Sequence, residues 1–132
     1  MIPRYRAWDK NLKTMYEADD IVSIDIEKKQ IYVKTPFFEQ LNCYSFRCID
    51  LMQSTGFVDK DGKDIFEGDI LGTKDGLLNG VVEFNIDLGM WTNSLIRYNN
   101  FERLCSIANS REIIGNIWED GELLDGENTE EN

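Results

Sequence analysis

The stretch "STGFVDKDGKDIFEGDIL", residues 54–71, sets five carboxylates and three glycines within eighteen residues. Such a segment is a metal loop, a catalytic loop or a tight turn between strands, and the choice decides the fold. A calcium loop between two helices needs acids at positions 1, 3 and 5, Gly at 6 and Glu at 12. Counted from Asp59, Asp61 fits position 3, but Gly62 falls at position 4 and Ile70 at position 12. A phosphate-binding loop needs a second glycine and a hydroxyl after its lysine, and "KDGKD" has neither. What remains is Asp61-Gly62, a strong hairpin signal, because a two-residue type I′ turn requires positive φ at both positions.

That turn predicts Val58 opposite Ile65 and Phe57 opposite Phe66. It also sets Asp59 against Asp64 and Lys60 against Lys63, like charges that disfavour the register by some tenths of a kcal/mol and leave a longer loop open. An Asp59–Asp64 pair lacks the six or so oxygens of a calcium site, so no metal is expected. Glu67-Gly68-Asp69 reads as a second turn that delivers Ile70 and Leu71 into the next strand. Gly56, Gly62 and Gly68, six residues apart, suit successive turns needing positive φ or close packing.

Working outward, the periodicity is mostly that of strands. In "DIVSIDIEKKQIYVKT", Val22, Ile24 and Ile26 alternate with polar residues, and Ile31 and Val33 resume after Glu27–Gln30. A four-residue loop would pair Ile26 with Ile31 and Ile24 with Val33, all on one face. "RYRAWD" and "KTMYE" form an earlier pair about Lys10-Asn11. "GVVEFNI" places Val82, Phe84 and Ile86 on one face. "EIIGNIWE" is apolar on both faces, which predicts a strand covered on both sides, with Gly115 allowing a bulge or a close neighbour. The one helical candidate is "NNFERLCSIANS", with Phe101, Leu104, Cys105 and Ala108 at i, i+3, i+4 and i+7 and Asn99 or Asn100 as cap. The expected fold is mainly β, a small barrel or sandwich of short antiparallel strands with one short helix.

The 132 residues fit a single domain, residues 1–124, with a disordered acidic tail over 125–132. From Glu119 onward the chain has seven acids and no base, so residues 1–118 carry only −4 of the net −11. No apolar run approaches the roughly 20 residues that span a bilayer, and the start lacks an export signal, so the cytoplasm is expected. Cys43, Cys48 and Cys105 fit no common zinc spacing. If residues 43–48 run as one strand, Cys43 and Cys48 point to opposite faces about 16 Å apart, which forbids a bridge. All three are expected to be core thiols in a reducing compartment.

"YRAWD", "LMQSTGFVDKDGKDIFEGDIL" and "IIGNIWEDGELL" resemble, in order, the three signature blocks of the YopX family of phage and prophage proteins. The resemblance runs from Tyr5 to Leu124, with Phe57-Val58, Phe66 and Trp118 as mild departures and nothing distinctive between Asn85 and Arg111. It implies a mainly β fold containing an SH3-like barrel element, a phage origin, and assembly into rings or other homo-oligomers. It transfers no catalytic residue.

With no His in the chain, Ser-His-Asp and Cys-His chemistry are excluded. Carboxylate chemistry from Asp59, Asp64, Glu67 and Asp69 survives only if two of them face one pocket, which nothing in the sequence indicates. A non-enzymatic accessory protein without cofactor is therefore expected, acting on a protein partner or on itself through β edges and exposed aromatics. Trp8, Trp91 and Trp118 are its candidate contacts, with core packing the commoner role of such residues. Self-association is favoured because edge strands need cover and the chain has only Pro3 and Pro36 to protect them. The alternative is nucleic acid, held by Arg4 and Arg6 on one strand face with Trp8, or mimicked by the acidic surface; the acidic body weighs against binding phosphate.

Overall fold

The computed structural model describes residues 4–34 and 40–124. Pro3, Pro36 and the acidic tail over 125–132 lie outside them. The chain is mainly β, with antiparallel pairing throughout and one short helix. It clusters into two compact units, Met1–Gln53 and Ser54–Asn132.

In the first unit, β1 (Tyr5–Asp9) pairs with β2 (Thr14–Tyr16), as the sequence indicates, across a loop in which Lys13 takes a left-handed φ of 55°. β3 (Ile21–Asp25), β4 (Gln30–Lys34) and β5 (Leu41–Ser45) form a three-stranded sheet. β6 (Ile49–Val58) lends its first half to this unit, Asp9↔Ile49 to Tyr5↔Gln53. Ala7, Tyr16, Ile31, Val33 and Ile49 make the core, and Tyr16 stacks on Tyr44 with ring centroids 5.1 Å apart.

The β3–β4 register differs from the periodicity reading. Ile24 faces Ile31, not Ile26, and a bulge between Ile21 and Ser23 brings Ile21 opposite Val33. The turn decides this: the Asp25 carboxylate accepts the Lys28 N–H at 2.9 Å, and Lys29 adopts φ 56°. The slip is two residues, so Ile24 and Ile31 keep their inward face, while Ile26 and Val22 are left outside.

In the second unit, the end of β6 pairs with β7 (Asp64–Phe66). A five-stranded sheet follows, built from β8 (Asp69–Gly72), β9 (Gly80–Asn85), β10 (Met90–Leu95), β11 (Asn100–Arg103) and β12 (Glu112–Asn116), in the order β11-β10-β9-β8-β12. Helix α1 (Leu104–Ile107) packs Leu104 with Ile65, Leu71, Val82 and Ala108. The helix is shorter than its periodicity suggests, because Phe101 is spent on strand pairing with Ser94. Phe101 and Cys105 are exposed rather than buried, and Asn99 closes the preceding turn at φ 51° instead of capping α1. β12 carries a bulge between Ile113 and Gly115, and a Cβ at Gly115 would stand 2.5 Å from the Asp120 carboxylate. Its two faces are not equally covered, since Ile114 is exposed. The cysteines correct the core-thiol expectation: all three are free, Cys43 and Cys105 exposed and Cys48 half-buried. Cys43 lies in β5 and Cys48 in the turn after it, so they do not share one strand.

The decisive stretch is a turn, but a three-residue one. Val58 faces Asp64, the Asp59 N–H donates to Lys63 O at 2.9 Å, and the Gly62 N–H donates to Asp59 O at 3.0 Å. Only Gly62 of the Asp-Gly pair has positive φ, +82°, which suits a type I turn over Lys60-Asp61 followed by a left-handed glycine. The extra residue removes both like-charge oppositions. Gly56 and Gly68 have φ of 85° and 88°. No heavy atom lies within 4 Å of a Cβ built on Gly62, so a substitution there meets backbone strain alone. Gly62→Val should lower stability by about 1–3 kcal/mol, and Gly62→Asn by less, because Asn tolerates the left-handed region. Urea titrations of the two variants check this; equal stabilities would rule the positive φ out as the cause.

Candidate functional site

Two acids of the decisive stretch, Asp59 and Asp69, are taken up by the backbone. Asp59 is buried; its Oδ1 accepts the N–H groups of Asp61 and Lys63, both at 2.9 Å, and its Oδ2 accepts the Ile113 N–H at 3.1 Å. It thereby ties the hairpin loop to the start of β12. Burial alone would raise its pKa, but these bonds and the Lys63 charge together hold it below the ordinary carboxylate value. Asp69 is likewise buried, its Oδ2 accepting the Phe66 N–H at 2.8 Å across the Glu67-Gly68 turn. Asp64 and Glu67 are half-buried. Among the described residues no group of three or more His, Cys, Asp or Glu is placed to hold a metal ion.

A third buried acid, Asp9, does the same work in the first unit. Its Oδ1 accepts from the N–H groups of Asn11 and Leu12, and its Oδ2 accepts the Tyr16 hydroxyl at 2.6 Å. These bonds outweigh burial and lower its pKa, while burial and the same carboxylate push the Tyr16 phenol up.

The Arg4-Arg6-Trp8 face is not an open stacking platform. Arg4 is exposed and pairs with Asp19 at 3.3 Å, but Arg6 and Trp8 are only 7% and 6% accessible. Both sit on β1, the strand hydrogen-bonded on its two sides to β2 and β6, where alternation alone could not reveal that the second face is covered too. Trp118 is half-buried, its backbone N–H held by Asn116 Oδ1 at 3.0 Å. Trp91 is also half-buried; it packs on the second unit's core and meets Phe84 edge to face, centroids 5.2 Å apart.

That contact leads to a surface the periodicity hid. The β9–β10 hairpin exposes Phe84 at 45%, Ile86 at 84% and Leu88 at 48%. Its loop is well defined: the Gly89 N–H donates to Asn85 O at 2.8 Å, and the Leu88 N–H to Asn85 Oδ1 at 3.1 Å. Alternation puts Phe84 and Ile86 on one face with Val82, yet of the three only Val82 reaches the core. The signal for the exposed tip was present in Asn85, Asp87 and Gly89, turn residues that take Ile86 out of the strand. The arrangement can desolvate an apolar partner surface against the hairpin tip.

A buried polar network braces the sheet carrying this hairpin. Arg111 holds Glu102 in a fork, Nη1 to Oε1 at 2.6 Å and Nη2 to Oε2 at 2.7 Å, and Asn93 Nδ2 donates to Glu102 Oε1 at 3.2 Å. Asn93 is fully buried opposite Glu102 in the β10–β11 ladder.

Known proteins agree with this architecture. The profile of a family described as YopX protein matches residues 4–125. Comparison with curated protein sequences finds no match. Among solved structures, protein EF1440 from Enterococcus faecalis is 26% identical, covers 94% of this chain and 99% of its own, and superposes with a TM-score of 0.60. Protein YopX from Bacillus subtilis is 20% identical over 91% of this chain and 96% of its own, with a TM-score of 0.58. With a family profile spanning almost the whole of the described fold, this chain belongs to the YopX family.

Proposed function

We propose that the chain is a non-enzymatic phage or prophage accessory protein that binds a protein partner, in the host cytoplasm, through the tip of the β9–β10 hairpin. The observation carrying this reading is the exposure of Phe84 at the end of β9 and of Ile86 and Leu88 in the well-defined loop that follows, beside the half-buried Trp91. Large apolar side chains gathered on a rigid element are the composition of a binding hot spot, whereas single exposed ones need no explanation. The buried carboxylates, each bonded to backbone N–H groups, support the non-enzymatic part. None of the described helices is long and apolar enough to cross a membrane.

Ile86→Asp with Leu88→Asp tests the surface. Both residues are exposed, so the double variant should melt within a few degrees of wild type. Captured on the tagged chain from phage-infected cells, partners of the wild type should be lost from the variant; identical captured sets would reject the hairpin as the contact. A second reading, self-assembly, is favoured by strands that pair on one side only, β3 and β5 in the three-stranded sheet and β11 in the five-stranded one. Light scattering after gel filtration decides it: a mass near 15.3 kDa at all concentrations would reject assembly.

A further inference from the structure

We propose that the partner of the β9–β10 hairpin presents an apolar pocket rimmed by lysine or arginine. The inference rests on the hairpin being the contact surface and adds the chemistry of what it meets. Charge is divided unequally along the chain. Residues 1–53 hold eight bases and eight acids, whereas residues 54–124 hold six bases and thirteen acids, so the described part of the unit bearing the hairpin carries −7 and the first unit is neutral. Between Lys74 and Arg97 there is no base, but there are Asp75, Glu83 and Asp87. The apolar tip is thus flanked in sequence by negative charge alone.

Two of these acids are available. Glu83 and Asp87 are exposed, and neither carboxylate makes an ion pair or hydrogen bond among the described residues. Glu83 lines an open cleft of about 270 Å³ with Asn85, Ser94, Asn100 and Phe101. The cleft has room for one ammonium or guanidinium group, which Glu83 would pair and the face of Phe101 would attract. Arg103 lies in the same row beyond Thr92 and forms no ion pair with Glu83. Complementary charge at the rim speeds encounter and rejects wrong partners, while the desolvated apolar centre holds the complex. A second copy of this chain, or a nucleic acid, would bring like charge to the tip.

The test uses two designed amphipathic helical peptides, about 14 residues each, with the same leucine face and either lysine or glutamate on the other. Each is titrated into the full-length, ¹⁵N-labelled chain. The lysine peptide should shift the amides from Glu83 to Ser94, and its binding should weaken about tenfold on raising salt from about 50 to 500 mM. Glu83→Gln with Asp87→Asn should weaken it several-fold, and Glu27→Gln, in the neutral unit, should not. If the glutamate peptide shifts the same amides as strongly, the charge inference is overturned while the hairpin reading stands. Shifts from the lysine peptide scattered over acidic residues, and indifferent to the Glu83 and Asp87 changes, would also overturn it. Loss of all binding in Ile86→Ser with Leu88→Ser would support both.

Discussion

Glu102→Ala should cost about 3–5 kcal/mol of stability, the largest loss expected from any single substitution considered for this chain. The Arg111 side chain is only 10% accessible and that of Glu102 17%, so neither end of the fork is well solvated. Removing the carboxylate leaves a largely buried guanidinium that cannot lose its proton and no longer has the acceptor it forked, and it takes the acceptor from Asn93 Nδ2 as well. Glu102→Gln should lose less, because the amide oxygen still accepts one bond. Glu102→Leu with Arg111→Met should be milder than Glu102→Ala, since no charge is then left buried without its partner. Urea titrations of the four proteins measure this. A Glu102→Ala loss below about 1 kcal/mol, the range of surface ion pairs, would show that water reaches the fork.

The same fork shows where sequence reading stops. Glu102 and Arg111 are nine positions apart with α1 between them, and no local period links the two. What could be read were features that repeat or punctuate: the pairing of β1 with β2, the inward positions of Ile24, Ile31 and Val82, the turn at Asp61-Gly62 and the irregularity at Gly115. Registers failed where a side chain, not the apolar pattern, set the turn, as Asp25 does before β4 and Asp59 before β7. The helix from Asn99 onward failed because tertiary pairing with β10 outweighs a marginal local propensity. The apolar tip of the β9–β10 hairpin is hidden in the sequence for a related reason. Tryptophan is the residue type that composition points to as a contact, yet Trp8 is buried, while Ile86 continues an alternating pattern and lies exposed in a loop.

Asp59→Ala is expected to rank second, at about 2–4 kcal/mol, and to carry a pH signature. Three backbone N–H groups lose an anionic acceptor; those of Asp61 and Lys63, on an exposed loop, can turn to water, whereas that of the half-buried Ile113 is less well compensated. The folded-state pKa of Asp59 lies below its ordinary value of 3.8. A carboxylate depressed on folding contributes its full stability above the unfolded value, and loses it as pH falls through the folded one. Wild type should therefore weaken progressively below about pH 4, Asp9 adding to the effect in the first unit, where bonds from Tyr16, Leu12 and Asn11 overcome burial to the same end. The gap between wild type and Asp59→Ala should be constant from about pH 5 to 8 and narrow towards about pH 2. Denaturation midpoints taken across that range read the gap directly. A gap that stayed unchanged in acid would mean that Asp59 stabilises the turn through its shape and neutral bonding, not through the ionised carboxylate that closes the loop onto β12.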